Sequence, residues 1–167
     1  MNARALPQLA LRPMLPTDAP FLAEIFRAAI EELAAEDYSE TQREAWASTA
    51  DEEEFGRRLA GELTLVATYG GSAVAFASLA GNTKIDMLYV HPAAAGQGAA
   101  ALLCDALEKL AAARGAKELT VDSSDTASGF FEKRGFTART RNTVTIGGEW
   151  LANTTMTKPL VAKETAP

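Results

Sequence analysis

The apolar positions change period along the chain. Leu9-Ala10-Leu11-Arg12 alternates as a strand does. Phe21, Leu22, Ile25, Phe26, Ala29, Ile30 and Leu33 then recur at helical spacing, behind Thr17-Asp18 as an N-cap and with Pro20 in the first turn. Tyr38-Ser39-Glu40-Thr41-Gln42 has the form of a capping box, in which a serine and a glutamine three residues on satisfy each other's free amides. It opens a second helix through Ala45, Trp46 and Ala47. Asp51 starts a shorter helix around Phe55 and Leu59.

Beyond residue 62 the period shortens to that of strands. Leu63–Tyr69, the turn signal Gly70-Gly71 and Ala73–Leu79 predict a hairpin. Lys84–Val90 predicts a third strand, ended by His91-Pro92 because proline cannot join a ladder. Ala99–Ala113 predicts a long helix stopped by Arg114-Gly115, and Glu118–Asp122 the next strand. A helix from about Asp125 to Arg134 and a closing hairpin, Phe136–Ile146 and Glu149–Lys158, complete the pattern. Antiparallel hairpins flanking one parallel crossover predict an α/β (α+β) fold with a mixed sheet and helices on both faces. Residues 1–160 read as one domain, and Val161–Pro167 as a frayed tail.

Composition narrows the functional classes. The 167 residues carry a formal net charge of -6 and a pI near 4.9, so no basic face exists to neutralise a run of phosphates. A nucleic-acid partner is therefore not expected. The single cysteine, Cys104, allows no internal disulfide and suggests a reducing, cytoplasmic setting. Met1–Gln8 lacks the apolar core of a signal peptide, and no apolar run suits a membrane span. No cluster has metal-ligand spacing.

The informative stretch is Leu88-Tyr89-Val90-His91-Pro92-Ala93-Ala94-Ala95-Gly96-Gln97-Gly98-Ala99-Ala100-Ala101, a strand, a glycine-rich turn and a helix start. Small residues let the backbone approach a pyrophosphate, and the first helical turn offers unpaired N–H groups and the positive end of the dipole. A plain strand-to-helix turn would use the same glycines. Gly96 to Ala101 also satisfies the dinucleotide pattern G-x-G-x-x-G/A, with Asp122 placed as a ribose-binding acid. That motif needs its first glycine directly after the strand, whereas His91 to Ala95 intervene and the preceding strands are hairpin-linked.

From Ile85 to Phe136 the chain resembles the core of the GNAT (GCN5-related) N-acetyltransferases. The strand end Leu88-Tyr89-Val90-His91-Pro92, the loop Gly96-Gln97-Gly98-Ala99-Ala100 and the segment Phe130-Phe131-Glu132-Lys133-Arg134-Gly135-Phe136 follow that family's order and spacing. Leu11-Arg12-Pro13 with Thr17-Asp18 resembles its opening. Tyr38-Ser39, Ala45-Trp46 and Gly148-Glu149-Trp150 resemble a single-domain bacterial subgroup. Two positions depart: Ala95 replaces the family's arginine or glutamine, and Phe131 replaces a tyrosine held to protonate the leaving thiolate. A phenylalanine has no proton to give.

The resemblance implies acetyl-CoA as cosubstrate, lying in a V-shaped gap between the strands Lys84–Val90 and Glu118–Ser123. It further implies that Leu88, Tyr89, Val90, Gly96, Gln97, Gly98, Ala99, Ala100, Ala101, Thr126 and Phe131 contact it. A backbone N–H near Leu88 or Tyr89 would polarise the thioester carbonyl while an amine attacks directly. Asp86 is the leading base and Tyr89 the tyrosine available as an acid. Tyr38, Trp46, Asp122, Glu149 and Trp150 are candidates for the acceptor pocket, the acceptor being a small-molecule or peptide amine. His91 reads as shaping the loop and Cys104 as a small buried apolar residue. A catalytically silent acyl-CoA-binding module is the alternative, motivated by Ala95 and Phe131, and O-acyl transfer a third. The chain would act as a monomer or homodimer.

Overall fold

A computed structural model describes residues 8–161, so residues 1–7 and all of the expected tail except Val161 lie outside the described residues. The strands are β1 (Leu9–Pro13), β2 (Leu63–Tyr69), β3 (Ser72–Ala80), β4 (Lys84–Val90), β5 (Glu118–Ser124), β6 (Thr137–Ile146) and β7 (Glu149–Pro159). The helices are α1 (Ala19–Ala28), α2 (Glu40–Ala47), α3 (Glu52–Ala60), α4 (Ala99–Ala113) and α5 (Ser128–Lys133). They build on one seven-stranded sheet of order β1-β2-β3-β4-β5-β7-β6. Every neighbouring pair is antiparallel except β4 and β5, joined through α4. Among the described residues, no helix is long and apolar enough to cross a membrane.

Two cores cover the two faces. On one, Leu103, Cys104, Leu107 and Ala111 of α4 pack with Ala75, Ala77, Leu119, Val121, Phe131 and Met156. On the other, Leu22, Ile25 and Phe26 of α1, with Phe55 and Leu59 of α3, pack against Val66, Phe76 and Met87. Each face removes a contiguous apolar surface from water, which is the main driving force for the fold.

Helix starts follow their caps. Ser39 Oγ accepts from the Gln42 amide at 3.2 Å and Gln42 Oε1 accepts from the Ser39 amide at 2.8 Å, the reciprocal box that the sequence predicts. Asp51 caps α3 through the Glu53 amide. Asp18 behaves differently: its side chain does not cap α1. It accepts from the Leu15 amide at 2.7 Å and from both Arg12 nitrogens at 2.7 and 2.8 Å, closing a 3-10 turn and tying it to β1. The helix after β5 is also shorter than expected, because Asp125 is taken out of it by ion pairing to Arg141.

The decisive irregularity lies in β4. Leu79 pairs with Ile85 and Ser78 with Met87, so Asp86 is an extra residue with no partner on β3. The slip shows in the cores: Ile85, Leu88 and Val90 belong with the α4 face, Met87 and Tyr89 with the α1–α3 face. Side chains alternate along a strand, so only an inserted residue puts Ile85 and Met87 on opposite faces. Parallel pairing of β4 with β5 covers Lys84↔Thr120 and Ile85↔Val121 and stops there. A bulge bends and twists its strand, and beyond it β4 leaves β5.

The buried Asp18 carboxylate gives a stability prediction. The hydrogen bonds from Arg12 hold it below the usual carboxylate range. Asp18→Ala should lower unfolding free energy at pH 7 by about 1–3 kcal/mol in urea denaturation. A lowered folded pKa makes this contribution complete above the unfolded value and lost as pH falls through the folded one, so the difference should shrink below about pH 4. Equal stability of the two proteins at pH 7 would contradict the assignment.

Candidate active site

Where β4 and β5 part, a cleft of about 160 Å³ opens, bordered by Asp86 to Tyr89 on one side and Val121 to Ser124 on the other. A larger groove of about 570 Å³ adjoins it, bordered by Leu88 to Val90, the loop Ala94–Ala101, Thr126 and Phe130. Trp46, Leu88, Tyr89, Ser124 and Ala127 wall both. The far wall of the groove is Ala29, Ile30 and Leu33, where α1 widens into a π-helical turn at Ala29–Leu33. The apolar periodicity of residues 21–33 does not reveal that change of pitch.

The loop presents open backbone to the groove. Gly96 and Gly98 have φ of 80° and 90°, which side chains rarely adopt, and a Cβ on either would meet nothing within 4 Å. The first α4 amide with a helical partner is Leu102, bonded to Gly98 O at 3.0 Å. Among the described residues, none accepts a hydrogen bond from the amides of Gly96 to Ala101. Open backbone, free N–H groups and a helix N-terminus suit a pyrophosphate. His91 Nδ1 accepts from the Ala93 amide at 3.1 Å, so the histidine shapes the loop. Gln97 is exposed and turns to a separate depression beside His91, away from the groove.

The cleft's charges are paired within the chain. Arg58 donates to both Asp86 oxygens at 2.9 and 2.7 Å. Burial works to raise the Asp86 carboxyl, but these bonds outweigh it and hold the group below the usual range. Asp122 is likewise lowered: burial opposes, but Thr155 at 2.7 Å and Lys84 at 2.9 Å prevail. Tyr89 faces α1 and α2, ringed by Phe26, Phe76 and Trp46 with centroids 4.6, 5.8 and 6.3 Å away. Its burial raises its pKa, so it keeps its proton. Cys104 is wholly buried against α4's sheet face, its thiol pushed up to about 12 by burial, which leaves it inert.

Several expected residues fall elsewhere. Trp150 is 70% exposed and outside the cleft, because its neighbour Leu151 is the β7 residue turned inward. Glu149 sits at the hairpin end and does not border the cleft. Phe131 is 2% exposed in the α4 core and touches only the cleft, while Phe130 borders the groove in its place. Thr126 borders the groove, with its hydroxyl donated to Asp37 at 2.9 Å. Tyr38 lines the cleft as a bolt: its hydroxyl donates to Ala152 O at 2.7 Å and accepts from the Asp125 amide at 2.9 Å. Trp46 meets the Tyr38 ring edge-to-face, with centroids 5.4 Å apart.

Known proteins share this arrangement. The family model described as "Acetyltransferase (GNAT) domain" matches residues 34–160. The chain belongs to the GNAT acetyltransferase family. As a GNAT protein it is an acyl-CoA-dependent N-acetyltransferase, in line with the relatives it matches. Over 145 residues it is 35% identical to the uncharacterized N-acetyltransferase YafP of Escherichia coli strain K12, covering 87% of this chain and 92% of that protein. The crystal structure of a GCN5-related N-acetyltransferase from Rhodopseudomonas palustris, also named aminotransferase class-II, matches with a TM-score of 0.89 and 60% identity over 96% of this chain and 99% of its own. The fold of yncA from Salmonella typhimurium, solved with its cofactor acetyl-CoA, matches at a TM-score of 0.64 and 21% identity over 96% of this chain and 98% of its own.

The Tyr38 bolt is testable in this GNAT fold. Tyr38→Phe keeps the ring but leaves a carbonyl and an amide without their partner. It should lower stability by about 1–2 kcal/mol in denaturant titration. An unchanged midpoint and slope would contradict that role.

Proposed function

We propose that the protein transfers the acetyl group of acetyl-CoA to a primary amine of a small-molecule or peptide acceptor, by direct attack in a ternary complex. The observation that carries this reading is the shared wall of Trp46, Leu88 and Tyr89 between the loop-bordered groove and the cleft. A coenzyme ester lying along the groove, with its acyl end reaching into the gap between β4 and β5, meets an amine that enters the cleft there. Acetyl-CoA supplies an acyl group already activated as a thioester.

The chain supplies alignment, charge stabilisation and a proton acceptor. Amides from Gly96 to Ala101 hold the diphosphate through the backbone, so Ala95 forfeits one side-chain contact without removing the seat. The edge of β4 beyond Ile85 has no β5 partner, and its N–H groups polarise the thioester carbonyl near Leu88. Asp86, ionised by Arg58, takes the proton of the acceptor ammonium directly or through water. Holding both reactants side by side provides much of the acceleration. Phe131 takes no part in proton transfer, and the departing thiolate draws its proton from solvent or from Tyr89.

Calorimetry with acetyl-CoA, combined with a thiol-release assay over a panel of amines, tests the proposal. Binding and amine-dependent thiol release are expected. Tight binding without release on any amine would instead favour the silent acyl-CoA-binding module. Gly98→Val puts a β-branched residue at φ 90° and should weaken acetyl-CoA binding about tenfold or more. Asp86→Asn should lower kcat/KM by about 10²–10³-fold while leaving acetyl-CoA affinity within about twofold. Unchanged turnover would remove Asp86 from its role.

A further inference from the structure

A second carboxyl stands behind Asp86. Glu62 follows α3 at the entry of β2, and its Oε1 atom is buried with no hydrogen-bond partner. Ser78, opposite Met87 beside the bulge, also keeps a buried, unpartnered hydroxyl. Glu62 precedes the pair Leu63↔Leu79 and so shares with Thr64, Val66 and Ser78 the sheet face beneath α3, the helix whose Arg58 grips Asp86. Asp86 in turn raises the Glu62 carboxyl. Two carboxyls coupled beneath one helix cannot both stay ionised at little cost, and sharing one proton relieves the pair. The neighbouring charges are Arg58 on α3, Lys84 on β4 and the Tyr89 phenol on β4, with Arg114, just past α4, bordering the depression that Glu62 also lines.

We infer that Glu62 completes the proton acceptor of this enzyme: the acceptor's proton arrives at Asp86 in the cleft and is held between the Asp86 and Glu62 carboxyls. This rests on Asp86 serving as the base. An N–H bond of the ammonium breaks, its electron pair stays on nitrogen for attack, and an O–H bond forms on the carboxyl pair. Glu62 never meets the acceptor; it acts through Asp86. Its second border is a depression lined by Pro13, Leu15, Leu59 and Leu110, apart from the cleft, which gives the proton a route to solvent. The chemical logic is one of matched basicity. Asp86 alone, clamped by Arg58, is a weak base, whereas Glu62 is raised to about 7, first by burial and then by Asp86. The pair can accept a proton only when Glu62 has lost its own.

The test is the pH profile of kcat/KM on one amine, with the wild type, Glu62→Gln and Asp86→Asn side by side. The wild-type rate should rise through an inflection near 7. Glu62→Gln keeps the shape of the side chain but cannot share a titrating proton. It should lose that inflection and fall about tenfold at its plateau. A merely structural glutamate would scale the profile and leave the inflection in place, which would overturn the inference. If Asp86→Asn abolishes turnover while Glu62→Gln keeps the inflection, the role of Glu62 alone is wrong. If Asp86→Asn keeps both rate and inflection, the assignment of the base itself is wrong. Carboxyl ¹³C NMR of the folded protein supplies a readout apart from activity. Glu62 titrating near 7 supports the pair, and titration in the ordinary glutamate range near 4.3 overturns it.

Discussion

The slip of one residue at Asp86 is the constraint from which the rest of the molecule's working parts follow. A ladder between β4 and β5 carried to its end would seal the sheet and leave no cleft. The extra residue bends β4 after Ile85, frees the strand edge from its neighbour, and re-aims the side chains that follow it. Met87 and Tyr89 are sent to the α1–α3 core, Leu88 and Val90 to the α4 core. The bulged residue itself is left beside the opening, gripped by Arg58. One backbone irregularity therefore creates the gap, exposes main-chain donors to it and places a carboxylate at its mouth.

Around that gap the charged groups are held by one another. Arg58 clamps Asp86, Lys84 and Thr155 hold Asp122, and Arg141 pairs with Asp125. The cleft is thus walled mainly by aromatic and aliphatic side chains, with carboxylates fixed in place and not searching for a partner. Apolar walls and fixed dipoles strengthen each electrostatic contact made against them. The groove differs: it has no charged side chain on its loop, and what it offers an anion is backbone N–H groups that two left-handed glycines leave exposed. The shape of the loop does not depend on the family's usual polar residue at the position of Ala95, because glycine conformation and the helix start set it.

Much of this was legible in the residues. The capping box at Ser39 and Gln42, the Gly-Gly turns, and the glycine loop before α4 are local signals, and each forms where local chemistry demands it. The bulge was hidden because β4 is apolar on both faces, so a change of parity at Asp86 leaves no break in the pattern. Trp150 was misleading for a similar reason: an aromatic on a strand says nothing about which face it takes until a neighbour, here Leu151, is seen to be buried. Phe130 and Phe131 are adjacent, and only helix rotation decides which meets the groove. Arg58 and Glu62 were silent because their partner Asp86 is distant in sequence, and pairing through space has no sequence period. Asp18 reads as a cap on local grounds, yet Arg12 claims it.

The central claim is that the parted strands and the glycine loop together seat a coenzyme A ester. A crystal structure of the protein with acetyl-CoA tests it most directly. The diphosphate should lie against the amides of Gly96 to Ala101 and the acyl-bearing arm between β4 and β5, with the thioester carbonyl facing the free edge of β4 near Leu88. Acetyl-CoA bound on another surface, or a gap closed by continued pairing of β4 with β5, would contradict it.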